Sequence, residues 1–301
     1  LVAVFLALGL GLLIGSAVIA DNLLEDIQDR LEDVRVKNEE RLAEIVRLRG
    51  LVSNGEEFAR FLEPALVNEA LSGSEIVLFV FEASDDALVD ALRAVVEEAG
   101  GDIATTIFIS ERFALTDDSG ADELRLITGH DIEDASELRE EVARAVGRVA
   151  ATASIADQRR RTLLAEQRLD ALIEELEDAN FLAIDRDQDP VTIPIGAEFI
   201  VAGGSAEEAA YEIEGFGLAL TGTLADRGAK VVAVESADSV WGLVQSVRDD
   251  ADIAEGVATV DHADTVSGRI AAALALSRAA FEAGHYGYDA GAEQPFPLPG
   301  I

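Results

Sequence analysis

Residues 75–109 read EIVLFVFEASDDALVDALRAVVEEAGGDIATTIFI. The opening run, Glu75 to Phe81, is apolar after its first residue and is bounded by Gly73 and by Ser84-Asp85-Asp86. A continuous apolar run of this kind suits a strand buried on both faces, as in a parallel sheet. The period then changes. Leu88, Leu92, Val95 and Val96 fall on one side of a helix over 87–99, with Ser84 or Asp85 placed to cap it and Gly100-Gly101 to end it. Ile103 to Ile109 predicts a second strand. Strand, helix and strand make a βαβ unit, for which a right-handed crossover is the strong default.

The same alternation returns towards the C-terminus. Strands are predicted over 198–202, 230–235 and 257–260, and helices over 209–225, 240–249 and 265–283. The first of these strands runs into Gly203-Gly204-Ser205, and the second helix carries Trp241, the only tryptophan. Between the two alternating regions, residues 117–180 show no strand pattern and predict two helices, over 135–150 and 157–178. The second begins with Arg159-Arg160-Arg161, read as a solvated helix end. Residues 284–301 contain Pro295, Pro297 and Pro299 and predict a tail. The expected architecture is α/β: a doubly wound, mostly parallel sheet of about five strands over 56–283, with a helical insertion at about 117–180. The spacing accommodates one domain or two.

Upstream, residues 1–20 read LVAVFLALGLGLLIGSAVIA, without a charge. A helix of that length spans roughly 30 Å, the hydrocarbon thickness of a bilayer, and satisfies its own backbone there. This predicts a transmembrane helix; the run is too long for a signal-peptide core and lacks a clean cleavage site. Gly11 and Gly15 form a G-x-x-x-G pair that permits close helix approach. From residue 21 to 55 a heptad pattern follows. Leu24, Ile27, Leu31, Val34, Asn38, Arg41, Ile45, Leu48 and Val52 recur at alternating spacings of three and four, separated mainly by Glu, Asp and Arg. That is the seam of a coiled-coil stalk through which copies associate. Asn38 on the seam fixes register at a cost in stability, and Arg41 is a second polar interruption. Gly50 to Gly55 is expected to loosen the helix, with Ser53-Asn54-Gly55 as a break, and Pro64 to kink the next one over 56–71 or divide it in two.

Composition excludes several function classes. With 23 basic and 59 acidic residues the net charge is −36, so nucleic-acid partners, held by Lys and Arg on phosphate, are not expected. Spread acidity with only two lysines, Lys37 and Lys230, suits solvation in high salt, or a GC-rich coding bias. There is no cysteine and no methionine, which removes disulfides, thiolate sites and most ligands for Cu(I). No dinucleotide fingerprint follows any predicted strand, and neither a P-loop nor a nucleophile elbow occurs. Gly215-x-Gly217 lies inside a predicted helix, where close packing explains it. Asp185-x-Asp187-x-Asp189 resembles the start of a calcium loop, but Pro190 and Gly196 stand where an EF-hand needs Gly and Glu, so a polar turn is expected. Strand ends offer Glu82, Ser84, Glu235 and Ser236. The weak metal candidates are Asp261, His262 and Asp264, at a strand end where ligands bind in such sheets. No cofactor and no enzyme activity is expected.

Taken together, the apolar N-terminus running straight into the coiled coil, Gly215-Phe-Gly-Leu-Ala-Leu, the stretch Ala258-Thr-Val-Asp-His-Ala-Asp-Thr-Val-Ser-Gly-Arg-Ile, and Gly284-His-Tyr-Gly resemble the MctB-like actinobacterial copper transporter family. The resemblance implies copper transport or homeostasis at the cell envelope. It also implies a single-pass anchor in the cytoplasmic membrane with the α/β domain outside it. Relatives linked to cell separation imply an alternative role, a non-enzymatic oligomeric scaffold recruiting an envelope partner. Strands of about ten residues alternating apolar and polar, as a membrane barrel requires, are not seen in the sequence.

Overall fold

A computed structural model describes residues 2–154, 163–185, 193–278 and 283–297; the side chains of 12–29, 163–170 and 278 lie outside that description. The elements in chain order are α1 (Val2–Val67), β1 (Glu75–Phe81), α2 (Asp86–Glu98), β2 (Asp102–Ile109), a short 3₁₀ turn (Glu111–Ala114), α3 (Asp118–Thr128), α4 (Ala135–Ser154), α5 (Leu163–Asp178), β3 (Leu182–Asp185), β4 (Glu198–Gly203), α6 (Ile213–Asp226), β5 (Val231–Glu235), α7 (Leu243–Asp249), α8 (Ala251–Ala254), β6 (Ala258–Val260), α9 (Val266–Arg278) and β7 (His285–Tyr286). Two compact units result, Leu1–Glu57 and Phe58–Ile301.

In the first unit α1 runs without interruption through Gly50 and Ser53-Asn54-Gly55, where a break was expected; its last residues, in the second unit, contain Pro64. A helix-interior glycine costs only about 1 kcal/mol against alanine, and the surrounding Leu, Glu and Arg are good helix formers. The seam residues Leu31, Val34, Ile45, Leu48 and Val52 are 43–66 % exposed, while the side chains of Leu24 and Ile27 lie outside the described residues. Towards the N-terminus, Val2, Val4, Phe5, Leu6, Leu8 and Leu10 are also exposed. Among the described residues no helix is long and apolar enough to cross a membrane; the predicted span includes Leu1 and the side chains of 12–20, which are not among them.

The second unit is built on a seven-stranded sheet in the order β3-β2-β1-β4-β5-β6-β7. Every neighbouring pair is parallel except β2 and β3. β1 is central, buried from Ile76 onward, and pairs with β2 on one side and β4 on the other. Its alternate residues feed two cores, as the two-residue period of a strand requires. Val77, Phe79 and Phe81 face a layer containing Leu138, Val142 and Val146 of α4 with Phe216, Leu220 and Leu224 of α6. Ile76, Leu78 and Val80 face Leu88, Leu92 and Val95 of α2 and Ile270 and Leu276 of α9, joined by Val67 and Leu71. Helices on both faces of a mostly parallel sheet make the doubly wound α/β architecture.

Three expectations change. Among the described residues the strands number seven rather than about five, because β3 and β7 at the two edges escape the sequence pattern. The insertion is not separate: α4 and α5 contribute Leu138, Val142, Ile173 and Leu176 to one core of the sheet, and α3, which was not foreseen, adds Leu124. Residues 284–301 are not simply a tail, since β7 pairs with β6 and Tyr286 is buried. The Arg159-Arg160-Arg161 cluster, and Asp187 and Asp189, lie outside the described residues. Asp185 is the last residue of β3 and pairs with Arg93.

Candidate functional site at the carboxyl end of the sheet

In an open α/β sheet the default ligand crevice lies beyond the strand ends where the winding reverses. Here that point lies between β1 and β4. It is filled. The Phe81 ring sits edge-on to Phe216 at 5.9 Å and to Trp241 at 6.4 Å, and Phe113 packs on Phe181 at 5.0 Å and on Phe216 at 4.9 Å. Trp241 donates its indole N–H to the Glu207 carbonyl at 2.7 Å. The loops close over this cluster: Asp85 N–H donates to the Gly204 carbonyl at 3.1 Å, and Ser236 Oγ donates to Asp85 Oδ2 at 3.2 Å. A Cβ on Gly204, whose φ is +122°, would lie 2.7 Å from Ser236 N, so only glycine allows that approach.

The other strand-end polar groups also hold loops. Glu82 accepts from the Glu111 N–H, and Asp264 Oδ1 accepts from the Ala237 N–H at 2.7 Å. Glu235 receives the N–H groups of Leu243 and Val244, so a buried carboxylate sits at the start of α7, where unpaired N–H groups and the helix dipole favour negative charge. Asp85 does not cap α2 with its side chain. Gly217 is explained by packing, since a Cβ there would meet Leu243 Cδ1 at 2.2 Å.

One titratable cluster remains, beyond β6. The chain leaves Val260 through Asp261, turns at His262 with φ +55°, and enters α9 with Thr265 Oγ1 accepting from the Gly268 N–H at 3.1 Å. Gly268 permits the turn to lie on the helix, because a Cβ there would fall 1.9 Å from the His262 carbonyl oxygen. Asp261 is buried and four donors fill its carboxylate. Oδ2 accepts from Arg248 at 2.9 Å and from the Asp289 N–H at 3.2 Å; Oδ1 accepts from the Tyr288 N–H and contacts His262 Nδ1, both at 2.7 Å. Burial pushes the Asp261 carboxyl up, but these donors outweigh it and hold the group below its ordinary range. Arg248, 2 % exposed at its side chain, donates further to Thr259 Oγ1, the Tyr286 carbonyl and the Ala290 carbonyl. A Cβ on Gly287 would strike the Asp261 carboxylate at 2.0 Å.

Of the three predicted metal candidates, the structure brings Asp261 and His262 together and takes Asp264 away to Ala237. Asp289 stands in its place, with Oδ2 3.7 Å from His262 Nδ1. Asp289 and Arg248 carried no local signal in the sequence. The carboxylate at Nδ1 favours the tautomer protonated there, which leaves the lone pair on Nε2. Among the described residues no hydrogen bond reaches Nε2, and Asp289 is 60 % exposed. The remaining ligand capacity is one imidazole nitrogen and one carboxylate, a set suited to a borderline or hard divalent ion and short of a closed site. His285 is a separate feature: burial lowers its pKa, and Nδ1 is bonded to Thr259 Oγ1 at 3.0 Å.

Residues 1–297 match the family model described as "Copper transport outer membrane protein, MctB". Among curated proteins, the copper transporter MctB of Mycobacterium tuberculosis is 28 % identical over 303 residues, covering 97 % of this chain and 95 % of that one. The protein of the same name from Mycobacterium bovis gives the same figures. That of Mycobacterium leprae is 25 % identical over 294 residues, covering 92 % of this chain and 89 % of that protein.

Proposed function

The chain belongs to the MctB family, and on that premise we propose that it serves copper handling at the cell envelope as a membrane-anchored protein without catalytic activity. The observation that carries the copper reading is the extent of the match, which takes in nearly the whole of this chain and of relatives named copper transporters. The anchor is residues 1–20, whose uncharged run continues as helix into the stalk. Exposed Val2, Val4, Phe5, Leu6, Leu8 and Leu10 favour a lipid surrounding over water. The stalk follows, and the α/β domain stands outside the cytoplasmic membrane.

The composition favours a copper role at one remove from the ion. Without Cys or Met the chain has no soft ligand set for Cu(I). A single anchor helix lines no channel. A second reading is therefore kept: an oligomeric scaffold that recruits an envelope or cell-separation partner. The aromatic packing of Phe81, Trp241 and Phe216 beside the β1–β4 switch point supports it.

The test is a chromosomal deletion with copper sensitivity and cell copper content measured together with cell morphology. Raised copper content and sensitivity, restored by the full chain, are expected. Unchanged copper with a separation or envelope defect would replace the first reading with the second.

A further inference from the structure

A recess of about 430 Å³ lies at the carboxyl end of the sheet, between the segment that leaves β4 and the segment that leaves β5. That volume falls within the range of small-molecule sites, roughly 300–1,000 Å³, and the position is one where open α/β sheets bind ligands. Its walls are of two kinds. Tyr211, Val240 and Trp241 supply aromatic and apolar surface, and Glu208, Glu212 and Glu214 supply carboxylates. Among the described residues no ion pair neutralises these three. Glu212 stands at the start of α6 and yet makes no side-chain cap bond, so the helix does not engage its carboxylate. Trp241 is fixed by the bond from its indole N–H to the Glu207 carbonyl at 2.7 Å, so that wall is formed in advance of any ligand. Tyr211 lines the recess, and among the described residues its buried hydroxyl has no hydrogen bond. Buried polar groups are nearly always paired, so a phenol kept where phenylalanine would pack calls for a partner from outside the fold.

We propose that this recess binds a small organic ammonium ion, with Trp241 and Tyr211 as aromatic walls, Glu208, Glu212 and Glu214 as counter-charges, and the Tyr211 hydroxyl bonded to a polar group of the ligand. The site is independent of the copper and scaffold readings, and of the anchor and the stalk. A bare metal ion suits the same carboxylates less well. Among the described residues only Asp261, His262 and Asp289 bring three ligand atoms within 4.8 Å of one another. Glu208, Glu212 and Glu214 are therefore spread too widely to close on one hard divalent ion, which takes about six or more oxygens at roughly 2.0–2.6 Å. A cation whose charge is spread over an apolar body meets spaced carboxylates and aromatic walls together. The Tyr211 ring already lies beside one such cation, the Arg139 guanidinium, 5.6 Å from its centroid.

The experiment titrates the full chain in non-ionic detergent with choline and with its uncharged isostere, 3,3-dimethyl-1-butanol. Trp241 is the only tryptophan and lines the recess, so its emission reports occupancy. A saturable change is expected with choline, about tenfold or more tighter than with the isostere. The triple variant E208Q/E212Q/E214Q is expected to weaken choline by about tenfold or more. Its three lost carboxylates move the net charge only from −36 to −33, so a cation merely gathered by the overall field would bind variant and parent alike. Tyr211→Phe, which removes a hydroxyl that holds nothing within the fold, is expected to weaken choline about threefold or more and to leave tetramethylammonium, which has no hydroxyl, unchanged. Equal binding of choline and the isostere, no saturable change, or undiminished binding in the triple variant or in Tyr211→Phe overturns the proposal. Displacement of choline by CaCl₂ beyond the effect of NaCl at equal ionic strength overturns it in favour of a metal site.

Discussion

Replacing Asp261 by asparagine removes the charge opposite Arg248 while keeping the shape of the side chain. Both groups are out of solvent, at 3 % and 2 % side-chain exposure. Taking away one member of a buried pair leaves the other uncompensated and costs about 3–5 kcal/mol. The amide also presents a donor where Asp261 accepts from Tyr288, Asp289 and Arg248. Against a typical stability of about 5–15 kcal/mol, the loss is about a fifth or more of the total. Trp241, the sole tryptophan and 5 % exposed, gives a fluorescence signal for urea unfolding of the full chain in detergent. Arg248→Met alone is expected to cost a similar amount. The double variant should cost less than the sum by about 0.5–3 kcal/mol, because the second change removes the charge the first left stranded. The pair also sets a pH dependence. Its carboxyl is held low in the folded chain, so its contribution is present above the unfolded pKa of about 3.9 and is lost as pH falls through the lower folded value. A loss below about 0.5 kcal/mol for Asp261→Asn, or strict additivity in the cycle, would refute the pinning role assigned to this carboxylate.

Three other outcomes are expected. Gly217→Ala should lower the urea midpoint by the equivalent of about 1–3 kcal/mol through overpacking against Leu243, and Leu243→Ala in the same chain should recover part of it. Tyr211→Phe should leave stability unchanged or raise it, because among the described residues the buried phenolic oxygen has no hydrogen bond and burial pushes its pKa up; a loss above about 1 kcal/mol would reveal a partner for that oxygen. With a net charge of −36, the melting temperature should climb from low salt to about 1 M NaCl as self-repulsion is screened, and a flat profile by scanning calorimetry would count against repulsion as a destabilising force here.

The central strands were legible because burial on both faces leaves a continuous apolar run, as in Glu75–Phe81 and Glu198–Gly203. The edge strands were not. β3 alternates between buried and exposed, and β7 is two residues long beside glycines and prolines. Its pairing is set by tertiary bonds, Thr259 N–H to the Gly284 carbonyl and Asp261 N–H to the Tyr286 carbonyl. At the site, Asp261 and His262 stood out by their place at a strand end, whereas Asp289 lies 28 residues further on and Arg248 is 13 residues before Asp261. Those separations exceed what local pattern conveys. The expected break at Gly50 failed for a different reason: glycine and asparagine read as punctuation, yet penalties of about 1 kcal/mol or less are tolerated where good helix formers surround them.

β7 follows the other described strands in the chain, and it is also the one that brings Tyr288 and Asp289 to the carboxylate beyond β6. Until those residues arrive, a nascent chain holds an open sheet margin and a guanidinium with its carbonyl acceptors missing. Removing residues 285–290 would therefore strip Arg248 of the Tyr286 and Ala290 carbonyls and Asp261 of the Tyr288 and Asp289 N–H groups, so the edge of the sheet and its buried ion pair stand or fall together.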